Sequence, residues 1–267
     1  MIILFDIGNT NTHVGLGDSR RVFEVADIPT AGWFGGSAPR FLRGALERGP
    51  LEGAALCSVV PRATPLVRRA LKRLGPIPCW ELTSKSLRGV GIDYPRPETI
   101  GADRLANALA ARRRFGAPAV VVDFGTAVTF DVVDGAGNYV GGIIAPGLAA
   151  MTDYLHEKTA LLPRIRIHQL KSTSAIGKST EQAMLIGAVH GYRGLIAALV
   201  KELKGELKAR RLPVVATGGY ARLLAANLPE ISAVDPLLTL EGLRLAWQER
   251  GDSIIHHPGH ERTRSHR

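Results

Sequence analysis

The chain has 267 residues, 45% of them hydrophobic and 22% charged, with a formal net charge of +10; this is ordinary soluble-globular material, sufficient for one large or two medium domains. Two cysteines, Cys57 and Cys79, cannot form a disulfide framework, and no Cys/His cluster has zinc spacing. The first apolar run breaks at Asp6 and no uninterrupted apolar run reaches eighteen residues, so we expect a cytoplasmic protein with no membrane partner.

The cations are dispersed. Their clusters are short (Arg68-Arg69, Arg112 to Arg114, Arg210-Arg211), and only 6% of residues are aromatic. A nucleic-acid surface calls for a basic stripe interleaved with aromatics, so the charge reads instead as solvated helix faces that attract anionic metabolites.

In chain order, residues 1–30 read as a meander, with strands to Phe5, from His13 to Leu16 and from Val22 to Val25. A loop follows at 31–37, then a helix from Phe41 to Glu47, and a buried strand from Gly53 to Val60 stopped by Pro61. Thr64 to Leu74 is a basic amphipathic helix ended by Gly75-Pro76, and a short strand runs from Ile77 to Glu81. Residues 89–100 form an extended loop, because Pro95 and Pro97 each push their predecessor out of helical space. A helix rich in Ala and Leu begins at Gly101-Ala102-Asp103-Arg104 and continues through Ala111.

The second half supplies strands at Ala119 to Val122, Val128 to Val133 and Tyr139 to Ala145. Pro146-Gly147 opens a helix to about Leu155, and 163–178 is an irregular basic segment. Ser179 or Thr180 caps a long helix whose Gly187, Gly191 and Gly194 imply close approach of another backbone. A strand from Pro213 to Ala216 enters the turn Thr217-Gly218-Gly219, a short strand ends at Val234, and Leu237 to Glu249 is the last helix. The polar, His-rich residues 251–267 are expected to be disordered.

Two stretches repeat one pattern. Ile2-Ile3-Leu4-Phe5 leads into Asp6-Ile7-Gly8-Asn9-Thr10, and Ala119-Val120-Val121-Val122 into Asp123-Phe124-Gly125-Thr126-Ala127; each is followed by a returning strand. The copies lie 117 residues apart, which implies a duplicated α/β domain, with boundaries at 1–116 and 117–250 and a tail at 251–267. Glycine in such a turn lets the backbone approach a ligand, N–H and hydroxyl groups hold phosphate oxygens, and an Asp at the strand mouth meets a cation. Asp103 has two readings: a proton acceptor, or an acid favoured in a first helical turn by the helix dipole. His13 likewise reads as an anion contact or as a satisfied polar side chain on the hairpin.

As a set and in this order, Asp6 to Thr10, Gly101-Ala102-Asp103-Arg104, Asp123 to Ala127, Gly141-Gly-Ile-Ile-Ala-Pro-Gly147, the Ala183-Met184 helix with its glycines, and Thr217-Gly-Gly219 resemble type III pantothenate kinase over residues 1 to about 248. The resemblance implies two duplicated actin-like domains with ATP in the cleft between them, and phosphorylation of pantothenate at its terminal hydroxyl. It implies ATP contacts from Asp6, Ile7, Gly8, Asn9, Thr10, Asn11, Thr12, His13 and Thr126. It places pantothenate against Tyr94, Gly101, Ala102, Asp103, Arg104 and Thr180, with Asp103 as catalytic base and Arg104 on the substrate carboxylate. It also implies Mg²⁺ held through water by Asp6, a monovalent cation (K⁺ or NH₄⁺) at Asp123, and a homodimer. The chain carries Ser179-Thr180 where the family tends to an Asn-Thr pair. Two other readings stand beside this one: another small-molecule kinase of the same fold, such as a sugar kinase, and a non-catalytic accessory factor for transcription. Arg104 favours a carboxylate-bearing substrate over a neutral sugar.

Overall fold

The computed structural model describes residues 1–42, 49–165 and 175–250. Residues 43–47 of the expected helix, 166–174 of the basic segment and the tail 251–267 lie outside the described residues. Eleven strands form two sheets among the described residues. The first holds β1 (Ile2–Ile7), β2 (Asn11–Gly17), β3 (Val22–Pro29), β4 (Gly53–Ser58) and β5 (Cys79–Glu81), in the order β3-β2-β1-β4-β5. The second holds β6 (Gly91–Ile92), β7 (Ala119–Phe124), β8 (Ala127–Val133), β9 (Asn138–Pro146), β10 (Val214–Thr217) and β11 (Ala233–Val234), in the order β11-β10-β7-β8-β9-β6.

Apart from the edge strand β6, the two orders are the same. In each, three antiparallel strands continue into two parallel ones. The duplication implied by the repeated motif is therefore present in the topology. The chain is of α/β class, and its fold is the duplicated actin-like one.

The helices are α1 (Ala31–Phe34), α2 (Thr64–Leu74), α3 (Ala102–Phe115), α4 (Leu148–Lys158), α5 (Thr180–Ile186), α6 (Tyr192–Glu206), α7 (Ala221–Ala225) and α8 (Leu238–Glu249), with a π-helical turn at Gly187–Gly191 joining α5 to α6. They make layers with the sheets. Ile3, Phe5, Ile7 and Leu56 face outward from the first sheet and bury Trp33 of α1 and Val67 and Leu71 of α2. On the other face of the same strands, Ile2, Leu4 and Ala55 meet Leu105 and Leu109 of α3 and Leu240, Leu243 and Trp247 of α8. Beyond the second sheet, Val120, Val122 and Phe124 pack on Tyr192, Ile196 and Val200 of α6. Each central strand is covered on both faces, which is why β1, β4 and β7 read as near-continuous apolar runs rather than alternating ones. For the same reason α3 is buried on every side from Leu105 to Ala111.

The alternation of a strand decides where the acids point. Ile2 and Leu4 lie on the inner layer, and so does Asp6; Ala119 and Val121 lie inward, and so does Asp123. The two acids thus come from opposite sheets toward the layer that holds α3.

Several expected elements differ. The loop at 89–100 contributes β6, which pairs in parallel with Asn138 and Tyr139, and a 3-10 turn at Pro97–Thr99. The helix expected after Pro146-Gly147 does begin at Leu148, with Gly147 as its N-cap, while β9 runs one residue past Ala145 to Pro146. Residues Ala38–Leu42 form a 3-10 turn. The stretch Thr180–Glu206, at a hydropathy of 1.5, has the length and composition of a membrane span, but Ala188, Tyr192, Ile196 and Val200 form one stripe packed on the second sheet. Gly187, Gly191 and Gly194 lie on the outward side, where an added Cβ would meet nothing within 4 Å. Among the described residues no other part of the chain makes the close approach expected of these glycines.

The contact of α3 with α8 is close because Gly242 lacks a side chain. A Cβ there would stand 1.9 Å from the Ala106 carbonyl oxygen and 2.5 Å from its carbon. Gly242→Ala is expected to destabilise the protein by about 3 kcal/mol, the upper part of the usual overpacking range, because backbone rather than a flexible side chain is in the way. Urea titration checks this; a change below about 1 kcal/mol would show that the two helices separate easily.

Candidate active site

Both repeated turns are held at their bases and left open at their tips. In the first, the Gly8 N–H donates to the Asn11 carbonyl at 3.0 Å. Thr30, at the end of β3, braces it: its hydroxyl donates to the Gly8 carbonyl at 2.7 Å and its N–H to the Thr10 carbonyl at 2.9 Å. Asn9, Thr10 and Asn11 stay exposed. In the second, the Gly125 N–H donates to the Ala127 carbonyl at 3.1 Å, and Gly147 lies so close that a Cβ there would be 2.3 Å from the Thr126 carbonyl oxygen. The tips meet: Thr10 Oγ1 and Thr126 Oγ1 hydrogen-bond at 2.9 Å.

Asp6, Asp103 and Asp123 converge beneath these turns. Burial pushes the Asp6 carboxyl up to about 6, with the negative charge of Asp103 adding to the effect. Burial pushes Asp123 up to about 7, with Asp6 and Asp103 both contributing. Asp103 is also raised by burial, although the Arg104 N–H donates to its Oδ1 at 2.8 Å and restrains the rise. Mutual repulsion in a place with little water disfavours the charged forms. Cys57, in register with Asp6 on β4, donates its thiol to Asp6 Oδ1 at 3.5 Å, and burial with that acid beside it holds the thiol well above its usual range. Thr217, in register with Asp123 on β10, has a buried hydroxyl with no partner among the described residues.

Among the described residues neither Asp6 nor Asp123 has a guanidinium or ammonium partner in an ion pair. An uncompensated acid beside an orphaned hydroxyl oxygen fits a cation. Among the described residues no three His, Cys, Asp or Glu side chains gather to chelate a metal outright. A divalent ion here would take one or two carboxylates and complete its shell with water and phosphate oxygens, as Mg²⁺ does.

Arg104 lies beside this cluster. Its Nε donates to Asp131 Oδ1 at 2.7 Å, and its guanidinium sits 5.7 Å from the centre of the Tyr139 ring. Tyr94 packs on Tyr139 at 6.2 Å between ring centres and remains at the surface. Gly101 adjoins Asp103, and Ala102 is buried.

Not every residue expected at the site is free to serve it. Ile7 is fully buried in the outer core, which leaves only its backbone. The Thr12 hydroxyl is buried too, bonded to Thr30 at 3.0 Å and to the Trp33 ring N–H at 3.0 Å; it anchors the hairpin from the far side. His13 Nδ1 is 2.5 Å from Asp27 Oδ1 across the β2–β3 ladder, which is the satisfied-polar outcome. Thr180 is exposed at the first turn of α5, where Ser179 is the cap through its Oγ and the Gln182 N–H. Thr180 has no described hydrogen bond to Asp103, Arg104 or Tyr94. Conversely, Thr30, Cys57, Asn107, Asp131 and Tyr139 were not singled out from sequence. The available signal was a polar residue inside an apolar element, as with Asn107 among alanines and leucines and Asp131 among valines. A separate cavity of about 910 Å³, lined by Phe115, Lys201, Arg211 and Ser232 among others, opens at the far end of β10 and contains none of these residues.

The model of the type III pantothenate kinase family matches residues 2–202. A type III pantothenate kinase of Akkermansia muciniphila is 47% identical over 91% of this chain and 97% of its own length, and one of Methylacidiphilum infernorum 44% over 91% and 87%. The chain belongs to the type III pantothenate kinase family. Among solved structures, a Campylobacter jejuni protein described as a Baf family transcriptional activator superposes with a TM-score of 0.61 at 21% identity, covering 92% of this chain and 98% of its own. The component A of an Acidaminococcus fermentans 2-hydroxyglutaryl-CoA dehydratase superposes at 0.54 and 16% identity, covering 92% and 95%. At such identities these two likenesses speak to the fold.

The raised acids set a pH dependence. A carboxyl whose folded pKa exceeds its unfolded value of 3.8 favours the folded state below that value, and the advantage is lost as pH rises toward about 7. Without ligands, Asp123→Asn is therefore expected to stabilise the protein at pH 7.5 by about 2 kcal/mol and to have little effect at pH 4. Thermal melts of both proteins at the two pH values test this. A difference between them that does not change with pH would contradict the strained-acid account.

Proposed function

We propose that the site works as a pantothenate kinase: the terminal phosphoryl group of ATP passes to the terminal hydroxyl of pantothenate, giving ADP and 4'-phosphopantothenate, the first step of coenzyme A biosynthesis. The observation that carries this reading is the convergence of Asp6, Asp103 and Asp123 under two joined turns, with Arg104 alongside. Phosphoryl transfer needs positioning and charge neutralisation more than covalent chemistry, and this arrangement supplies both.

We assign the roles as follows. Gly8 closes the first turn through its own N–H, while backbone N–H groups of Asn9 to Asn11 and the hydroxyls of Thr10 and Thr126 hold phosphate oxygens, for which the exposed turn tips are suited. Asp103 accepts the proton of the pantothenate hydroxyl; its raised pKa makes it a better base than an ordinary aspartate. Arg104 binds the pantothenate carboxylate through its terminal nitrogens, and Tyr94 and Tyr139 wall that pocket. For Thr180 on the substrate side the one support is the family resemblance. Mg²⁺ would be held through water by Asp6 and would neutralise charge building on the phosphates; K⁺ or NH₄⁺ would sit at Asp123, near Thr217. We propose residues 1–116 and 117–250 as the two lobes around the nucleotide.

We also propose a homodimer and a cytoplasmic location. Ile144 and Tyr154 are 65% and 62% exposed, and Met151 and Leu155 lie at the surface beside them on α4. Together with the bare glycine face of Thr180–Glu206 they make an apolar surface of the kind a second copy covers. The Campylobacter protein raises the alternative of a binding factor; three mutually repelling acids, costly to keep without catalysis, favour the enzyme.

The test is release of ADP from Mg·ATP with pantothenate as acceptor, with K⁺ or Na⁺ as the only monovalent cation. Pantothenate-dependent turnover stimulated by K⁺ is expected. Asp103→Asn should lower kcat by roughly 100-fold or more while pantothenate binding changes little. Near-normal turnover of that variant would remove Asp103 from the role of base.

A further inference from the structure

Asp131 lies on β8 and is fully buried, beyond reach of any solvent-borne substrate. A buried carboxylate is retained only when its charge is met. Two groups meet it here. Arg104 Nε donates to Oδ1 at 2.7 Å, and Asn107 Nδ2 donates to Oδ2 at 3.1 Å. Burial pushes the Asp131 carboxyl up, and these two donors pull it back.

Asn107 is itself fully buried and fully committed. Its amide nitrogen also lies 3.3 Å from Asp123 Oδ2, so one NH₂ group spans the two acids. Its carbonyl oxygen accepts from Thr239 Oγ1 of α8 at 2.8 Å, which fixes which way the amide faces. The chain Thr239–Asn107–Asp131–Arg104 is therefore continuous, and each link has one polarity.

At the end of this chain the guanidinium is held on three sides. Asp131 takes Nε, the Tyr139 ring lies under the plane, and Gly142 leaves just enough room: a Cβ there would stand 2.9 Å from Nη2. Among the described residues neither terminal nitrogen of Arg104 has a hydrogen-bond partner. A planar fork with its inner edge anchored and its outer N–H groups free is shaped for a two-point contact with a carboxylate.

We infer that Asp131, clamped by Asn107, is a positioning and specificity residue: it orients Arg104 so that the enzyme selects substrates that end in a carboxylate. The inference rests on the reading of Arg104 as the contact for the pantothenate carboxylate. Asp131 does not touch substrate. Its contribution is to spare Arg104 the conformational freedom that a long side chain otherwise loses on binding.

The discriminating probe is pantothenol, which differs from pantothenate in carrying a hydroxymethyl group where pantothenate has its carboxylate. Binding of each is measured by calorimetry, without ATP, on wild type, Asp131→Asn and Arg104→Gln. Asp131→Asn should weaken pantothenate by about tenfold or more, the usual cost of disturbing a charge-assisted bond, and leave pantothenol within about threefold. Loss of fold or general loosening would weaken both ligands alike and leave their ratio as in wild type. An unchanged ratio in Asp131→Asn, with a collapsed ratio in Arg104→Gln, overturns the inference while sparing the reading of Arg104. An unchanged ratio in Arg104→Gln overturns both. Should Asp131→Asn not fold, Asn107→Ser, which removes the clamp and leaves the ion pair, carries the test through the same ratio: a fall of at least about threefold supports the inference, and no fall overturns it.

Discussion

Asp6, Asp103 and Asp123 repel one another, and the protein around them withdraws the water that would screen the repulsion. Left alone, such a cluster works against folding. It persists because both strands that carry Asp6 and Asp123 are covered on each face, and the core they belong to outweighs the strain at their ends. The same strain is useful. A field of unpaired negative charge beneath open backbone N–H groups attracts cations, and nucleotide phosphates arrive with theirs. Phosphate and carboxylate, which otherwise repel, would then be reconciled by the metal proposed above.

The layered build keeps the cluster from relaxing. Helices α3 and α8 lie between the sheets with no free face, and their contact at Gly242 is backbone against backbone. α8 is drawn from the end of the described chain yet packs on β1 and β4 at its beginning. Each half of the chain therefore supports the other's site, and Thr239 of α8 reaches Asn107 of α3 across that seam. Displacing the acids means moving a helix buried on every side, which is far costlier than rotating a surface loop.

Much of this was legible in the sequence, for identifiable reasons. Apolar runs gave the central strands, and two copies of one turn gave the duplication that the sheet orders repeat. The hairpin register carried further information that residue types alone did not. Ile7 pairs with Thr12, so both share a face opposite to Asp6. Once Asp6 points inward, Thr12 must point into the outer core, which is where its hydroxyl is bonded. β6 was illegible because it is two residues long and pairs with Asn138 and Tyr139, far along the chain. The glycines of Thr180–Glu206 signal a bare helix side, but composition does not show which way that side faces, and here it faces outward. Asp131 and Asn107 interrupt an apolar strand and an apolar helix, and only tertiary contact shows that each answers the other.

The duplication also explains how one motif serves two purposes. Asp6 and Asp123 occupy equivalent strand ends, each beside an antiparallel partner and a parallel one, but their neighbours have diverged. Asp6 is flanked by His13 and by the Cys57 thiol, a weak donor that occupies one carboxylate oxygen. Asp123 is flanked by Thr129 and by Thr217, and its Oδ2 is taken by Asn107. Close to its Oδ1 lies the Gly218 backbone, where a Cβ would come within 2.4 Å. Asp6, met on one oxygen only by a weak thiol donor, suits the water-retaining ion proposed for it. The other is enclosed by oxygen donors and backbone, a setting that favours an ion held by many weak oxygen contacts over one that insists on a full water shell. Equivalent carboxylates in inequivalent surroundings are how a repeated fold comes to have the two different cation roles proposed for it.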